Sequence, residues 1–365
     1  MNINSVHIKR WGSVAAIAIA GTIVLSSCAA NDVGAETPST LSGTLVGGGA
    51  SSQQSAQEAW VAAFQIANPD VDVEYDPVGS GGGRDTFVGG GSAFAGSDRA
   101  FNDEEIAEDS FAACVPGTGI VEIPAYISPI AIIFNLEGVD SLNLDAATIA
   151  GIFKGEITSW DDEAIVSQND GVELPALAIT AVHRADDSGT TENFTDYLNA
   201  AAPEVWDAEA DGVWPFEGGE AAPQTSGVVD AVTNGTGTIG YADASRAGEL
   251  GIVSVKVGNE YVPYSAEAAA AIVDASPFVE GRTEFDLAIN LDRTSDAAGV
   301  YPVVLVSYLI ACAEYAEPAS TELVKAYFSY IVSEEGQATA ADSAGIAPIS
   351  SGLFEKATAA IDAIK

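Results

Sequence analysis

The chain of 365 residues carries 53 Asp and Glu against 13 Lys and Arg, a formal net charge of −40. That charge sets nucleic acid and anionic lipid headgroups aside as partners. A hydrophobic content of 47% is too high for a disordered acidic chain, so the acids coat a real core as a solvated surface suited to a salty exterior.

Lys9 and Arg10 precede an uncharged apolar run from Val14 to Leu25 that ends in Leu25-Ser26-Ser27-Cys28. A bilayer span needs about 20 apolar residues, so this run reads as a secretory signal. Its last four residues resemble a bacterial lipobox, in which cleavage precedes the cysteine and the new terminal Cys28 carries lipid. An ordinary signal followed by a chance cysteine is the alternative. Residues 1–27 are thus expected to be a lipoprotein signal and residues 28–40, polar and holding Pro38, a flexible tether. Loss of Lys9 and Arg10, with no acid lost, takes the charge from −40 to −42. Cys114 and Cys312 remain, and two cysteines in an exported chain suggest one disulfide, with two buried thiols as the alternative. Those two and the single remaining histidine, His183, are too few ligands for a metal site.

Thr44-Leu45-Val46 is a short strand entering Gly47-Gly48-Gly49-Ala50-Ser51-Ser52. Residues 54–67 follow with Ala59, Trp60, Ala63, Phe64 and Ala67 at helical spacing, stopped by Asn68-Pro69. Residues 71–78 alternate as a strand and run into Gly79-Ser80-Gly81-Gly82-Gly83; residues 86–91 form at most a short helix. Ala93-Phe94-Ala95-Gly96 is a third strand. It delivers Ser97-Asp98-Arg99 to its carboxyl end, the edge where open α/β sheets bind ligands.

Residues 104–114 read as a helix, and residues 121–134 as two β-rich pieces, Ile123-Pro124-Ala125-Tyr126-Ile127 and Ile130-Ala131-Ile132-Ile133-Phe134. Asp145 caps a helix through Phe153, and residues 154–162 turn back. Residues 177–182 form a strand feeding His183-Arg184-Ala185-Asp186-Asp187-Ser188-Gly189-Thr190, with residues 191–201 helical. Residues 227–233 and Gly237-Thr238-Ile239-Gly240-Tyr241 make another helix–turn–strand unit. Residues 302–309 read as a buried strand, and residues 321–334 and 353–364 as terminal helices. Alternating strands and helices predict an α/β fold with largely parallel sheets. The roughly 338 residues after the signal exceed one comfortable core, which predicts two domains closing on a ligand by a hinge.

The three glycine and serine turns at residues 47–52, 79–83 and 186–190 are candidate anion seats. At a strand-to-helix junction the first N–H groups have no partner within the helix, and the helix dipole leaves about half a positive charge there. One such turn is usually plain punctuation; three, with hydroxyls and Arg184 nearby, point to a small oxyanion.

At these residues the chain resembles the phosphate-binding protein of the Pst-type bacterial phosphate ABC importer. The likeness runs through Gly47–Ser52, Val78-Gly79-Ser80-Gly81-Gly82, Gly96-Ser97-Asp98, Gly155-Glu156-Ile157-Thr158-Ser159-Trp160-Asp161-Asp162, Arg184-Ala185-Asp186, Ser188-Gly189-Thr190 and Ile239-Gly240-Tyr241. The resemblance implies a two-lobed class II periplasmic-binding-protein fold, with residues 41–123 and 300–365 in the first lobe and 124–299 in the second. It implies a ligand set of Ser51, the Ser52 amide, Ser80, Asp98, Arg184, Ser188, Gly189 and Thr190, with Asp186 holding the guanidinium. It also implies inorganic phosphate as ligand, no cofactor, membrane permease subunits as partners, lipid on Cys28 at the outer face of the cytoplasmic membrane, and a monomer.

Three residues depart from the usual pattern. Ser52 replaces a common phenylalanine; Asp187 replaces a glycine at a position expected to favour a left-handed backbone; Arg99 replaces a small residue and is expected either to neutralise Asp98 or to reach the ligand. Two rival readings stand beside phosphate. A receptor for sulfate or molybdate would not need Asp98, which suits a ligand carrying a proton. A serine hydrolase built on His183, Asp186 and Ser188 would crowd its triad into one loop without a G-x-S-x-G elbow.

Overall fold

The structure, a computed structural model, describes residues 39–108 and 110–365. The expected signal, Cys28 and all but the last two residues of the tether lie outside them. Among the described residues no helix is long and apolar enough to cross a membrane.

The elements run β1 (Gly43–Gly49), a 3-10 turn (Ser51–Gln53), α1 (Gln54–Ala67), β2 (Val71–Asp76), α2 (Ser80–Val88), β3 (Phe94–Ser97), α3 (Asp103–Ala107), β4 (Ile120–Asn135) and β5 (Ser141–Leu144). Then come α4 (Ala146–Lys154), α5 (Glu163–Val166), β6 (Thr180–Arg184), α6 (Gly189–Ala201), β7 (Glu220–Ala222), α7 (Gln224–Asn234), β8 (Thr238–Asp243), β9 (Gly251–Val257), β10 (Glu260–Val262), α8 (Ala266–Ala275), β11 (Val304–Cys312), α9 (Pro318–Val332), α10 (Glu334–Ala344) and α11 (Ser351–Ala363).

Strands follow the order β2-β1-β3-β11-β4-β8-β6-β7, with β9 joining β5 and β10 to the far end of β4. The flanks are parallel, as expected, in β1 with β2 and β3 and in β6 with β7 and β8. The middle is not: β11 runs antiparallel to β3 and β4, and β4 antiparallel to β8. The reason is connectivity, since β11 returns late in the chain to fill the gap between β3 and β4.

Strand β4 joins the two halves of the fold. Its residues up to Pro129 pair with β11, and from Ile130 onward they pair with β8. The sequence suggested two pieces, parted at Ser128-Pro129, yet a single strand of 16 residues forms. Pro124 falls beside the irregularity at Ser307 and Tyr308, and Pro129 is the last residue opposite β11, both places where a strand tolerates a missing N–H. The second crossing lies alongside, where Ile130 N–H donates to Val303 O at 2.7 Å.

Each half has its own packing. On the β1 side α1 and α9 meet over the sheet through Phe64 and Tyr327 (5.1 Å), and Trp60 Nε1 donates to Gly336 O at 2.7 Å. On the β6 side Phe194 of α6 stacks on Tyr241 (4.4 Å) and meets Phe153 edge-on (4.8 Å), and Trp206 packs edge-on against Trp214.

Helix α2 begins at Ser80, inside the glycine run, and not near residue 86. Gly79 (φ 101°) makes the turn, and a Cβ on Gly83 would lie 2.3 Å from Gly49 Cα. These glycines let a helix press on β1 and do not form a loose loop. Helix α3 stops at Ala107, short of the expected residue 114; its start is fixed by a capping box between Asn102 and Glu105. Strands β5, β7, β9 and β10 and helices α5, α8 and α10 were not foreseen.

Cys114 and Cys312 form the disulfide, 198 positions apart in the sequence and with Cα atoms 5.2 Å apart. It ties the segment before β4 to the end of β11. A closed loop of this length stabilises by about 3–5 kcal/mol in the chain-entropy account. The double variant Cys114→Ser/Cys312→Ser should therefore unfold at distinctly lower denaturant than the oxidised protein; equal midpoints would show that the bridge contributes nothing.

Candidate functional site

The three turns meet. Beyond β1, Ala50 N–H donates to Gly96 O (2.8 Å), and Gly49 (φ 141°) leaves room for that carbonyl, which a Cβ would meet at 2.0 Å. Gly79 N–H donates to Gly49 O at 2.8 Å, which sets the start of α2 beside the start of α1. From the other half, β6 delivers Arg184, and Ser188 caps α6 by accepting Thr191 N–H at 3.2 Å. Gly189 closes the gap, for its Cβ would lie 2.7 Å from Asp98 Cβ and 2.8 Å from Ser80 Oγ. The starts of the first turn, α2 and α6 thus lie close together, and a helix start favours an anion.

Asp98 is the centre of the polar contacts and is 3% exposed. Its Oδ1 accepts from Ser52 Oγ and Ser307 Oγ, both at 2.6 Å, and its Oδ2 from Thr190 Oγ1 at 2.9 Å. Its backbone N–H donates to Ser80 Oγ (3.1 Å), and its carbonyl accepts from Asn193 Nδ2 (2.6 Å). A carboxylate offers about four acceptor directions, so about one is left. Ser51 Oγ lies 3.0 Å from Thr225 Oγ1 and accepts Thr225 N–H at 3.1 Å.

Arg184 is buried, and Asp186 holds it along one edge: Nε donates to Oδ1 at 2.8 Å and Nη2 to Oδ2. Gln224 N–H also donates to Asp186 Oδ1, at 2.9 Å. Burial pushes the Asp186 carboxyl up, but the guanidinium and that N–H outweigh it and hold the group below its ordinary range. One face of the Arg184 fork therefore stays available to a second anion.

The structure thus brings together Ser51, Ser52, Ser80, Asp98, Ser188, Gly189 and Thr190 around Asp98 and the α6 start, with the Arg184–Asp186 pair alongside against Gly79. The three departures find partners of their own. Ser52 supplies a hydroxyl to Asp98. Arg99 does neither thing expected of it: its guanidinium pairs with Glu105 (2.7 and 2.8 Å) and reaches Glu192 on α6 at 2.8 Å. Asp187 needs no left-handed backbone, since among the described residues only Gln224 (φ 58°) has a positive φ without being glycine. Its side chain lies 3.5 Å from buried Arg84, and its carbonyl accepts Gly81 N–H at 3.3 Å.

Ser307, Thr225, Asn193 and Arg84 were missed. The available signal was a lone hydroxyl inside the apolar run of β11, and polar residues following the β7 edge. The hydrolase triad does not assemble. His183 Nδ1 and Nε2 face the carbonyls of Arg184 (2.9 Å) and Gly218 (3.1 Å), and its ring stacks on Trp214.

Behind the first turn, Tyr126 of β4 donates to Asp243 Oδ2 (2.9 Å) and lies 3.2 Å from Ser52 O. Asp243 is fully buried, and desolvation pushes its carboxyl up to about 6 despite bonds from Ser245 and Tyr126.

Residues 34–335 match the PBP superfamily domain. The phosphate-binding protein PstS3 of Mycobacterium bovis (strain BCG / Pasteur 1173P2) is 31% identical over 374 residues, covering 98% of this chain and 99% of the relative. The phosphate-binding protein PstS 3 of Mycobacterium leprae (strain TN) is 33% identical over 328 residues, covering 88% and 87%. Among solved structures, a high-affinity periplasmic phosphate-binding protein bound with phosphate (PfluDING) superposes with a TM-score of 0.68 at 21% identity, over 87% of this chain and 93% of that one. That likeness speaks for the fold.

Asp243 supplies a pH test. A carboxyl raised in the folded state opposes folding once the unfolded chain has ionised, so the penalty grows from about pH 4 to pH 6 and is full above it. Asp243→Asn should be more stable than the parent at pH 8 by about 1–3 kcal/mol, with the difference vanishing near pH 4. A difference that does not change with pH would remove Asp243 as the source.

Proposed function

The chain belongs to the PBP superfamily and, within it, to the PstS phosphate-binding proteins, and from that membership we propose that it binds inorganic phosphate outside the cytoplasm and delivers it to the membrane permease of an ABC importer. Phosphate sits, in this reading, where Ser51, the Ser52 amide, Ser80, Ser188, Gly189, Thr190 and Arg184 supply donors and Asp98 supplies an acceptor. The observation that carries it is Asp98, a buried carboxylate with three hydroxyl donors already on it, set among helix starts and near an arginine. A site for a fully ionised oxyanion needs donors alone. Asp98 has a use only if the ligand brings a proton, as mono- and dibasic phosphate both do and sulfate at neutral pH does not.

The chain acts here as a receptor and not as an enzyme, which agrees with a His183 engaged away from Ser188. The expected lobes, residues 41–123 with 300–365 and residues 124–299, move by a few residues in this reading: residues up to Pro129 and from Val303 on belong to the first lobe and those between to the second, with hinge motion at these paired crossings. Support comes from the change of β4 partner at Pro129 and Ile130. The protein works as a monomer held by lipid on Cys28 at the outer face of the membrane, a reading that rests on the sequence Leu25-Ser26-Ser27-Cys28.

Arg184→Ala leaves a desolvated anion without its charged partner, a loss of about 2–5 kcal/mol, or roughly 30- to several-thousand-fold in affinity. Calorimetry with phosphate that finds near-parental affinity would take Arg184 out of the site. Cys28→Ser should release the protein from membranes into the medium with the affinity of the purified domain unchanged; a variant that stays on membranes would end the lipid assignment.

A further inference from the structure

A chain of buried amides runs from the core of the first half to the carboxylate at the site. Tyr327 of α9 donates its hydroxyl to Gln57 Oε1 (2.8 Å), Gln57 Nε2 to Gln53 Oε1 (2.8 Å), Gln53 Nε2 to Ser307 Oγ (2.6 Å), and Ser307 Oγ to Asp98 Oδ1 (2.6 Å). No member is more than 3% exposed. Apolar side chains would pack here at lower cost, because each buried polar group must be answered by a partner. Gly96 supports the arrangement: a Cβ there would come within 3.0 Å of Gln53 Oε1 and 3.1 Å of Nε2.

We propose that Gln53 is a specificity-determining positioning residue, which acts through Ser307 to hold the Asp98 carboxylate with its remaining acceptor position toward the ligand. The inference rests on the phosphate reading of the site. The Gln53 amide has one tenable orientation. Its NH₂ lies between Ser307 Oγ and the carbonyl of Tyr308 (3.4 Å), and turning the amide over would set oxygen against that carbonyl. Gln57, held by Tyr327, donates to the Gln53 oxygen from the other end. With a Ser307 lone pair engaged by Gln53, the hydroxyl proton goes to Asp98, where it joins those of Ser52 and Thr190. Aligned donors strengthen one another along such a chain. Without Gln53 the Ser307 hydroxyl is free to turn away. The Asp98 carboxylate then loses one of the three donors that fix it, so its remaining acceptor position is no longer held toward a phosphate hydroxyl or against a sulfate oxygen.

The test is competition calorimetry with phosphate and sulfate at neutral pH on the parent and on Gln53→Met, Gln57→Met, Ser307→Ala and Ser307→Thr. The phosphate-to-sulfate ratio should narrow about three- to tenfold in Gln53→Met and Ser307→Ala, the size of one ordinary hydrogen bond. It should narrow less in Gln57→Met and hold in Ser307→Thr, which keeps the hydroxyl. A merely structural role would lower the melting temperature and leave the ratio alone, so a parental ratio in Gln53→Met, Gln57→Met and Ser307→Ala would overturn the proposal by itself. Gln57→Met lies farther from the ligand and keeps the test open if Gln53→Met does not fold. A parent protein with no preference for phosphate would overturn the reading of the site and this proposal with it.

Discussion

A buried carboxylate next to an anion seat is the constraint from which the rest follows. Asp98 is tolerable in that place only because its oxygens are answered, and the donors that answer it come from separate parts of the chain: Ser52 from the turn before α1, Ser307 from β11, Thr190 from α6. None of these is near the others in sequence. The antiparallel return of β11 between β3 and β4, which breaks the expected parallel order, is what carries Ser307 to Asp98. An unpaired buried charge would cost several kcal/mol, a large share of the stability of any domain.

The same carboxylate links the two halves of the fold. From α6 Thr190 reaches it and Asn193 reaches the Asp98 backbone carbonyl, Thr225 reaches Ser51, and around them Arg99 meets Glu192 while Arg84 faces Asp187. Burial pulls the Arg84 guanidinium down and Arg99 adds to that, while Asp187, from the opposite half, opposes it. Charges of opposite sign thus face each other across the cleft around a ligand that would itself be negative. The long-range field does not settle the matter, because at physiological salt a net charge of −40 is screened beyond about 8 Å. Local donors decide.

The turns were readable from sequence because glycine next to serine at a strand–helix junction has a narrow physical meaning. Gln54–Ala67 and the Ser188 cap followed from spacing and capping rules, and the Cys114–Cys312 bridge from counting. Arg184 with Asp186 was legible because the two are two residues apart. What was not legible depends on contacts far apart in the chain. Gln53 and Gln57 carry no local signal of a role, and Ser307 only its lone hydroxyl in an apolar run, although all three are buried. The single long β4 was hidden by Pro129, whose place at the end of the pairing with β11 shows only once β11 is beside it. Arg99 was expected either to neutralise Asp98 or to reach the ligand because it follows Asp98, whereas neighbouring residues at a strand end point apart; its acids lie on α3 and α6.

The central claim is that the site takes a tetrahedral oxyanion that carries a proton. The most direct measurement is displacement of bound phosphate from the parent protein by sulfate at neutral pH. Sulfate brings an acceptor against Asp98, an unmade hydrogen bond to a buried charge plus repulsion, so phosphate should be preferred by roughly 100-fold or more. Displacement of phosphate by an equal concentration of sulfate would contradict the account.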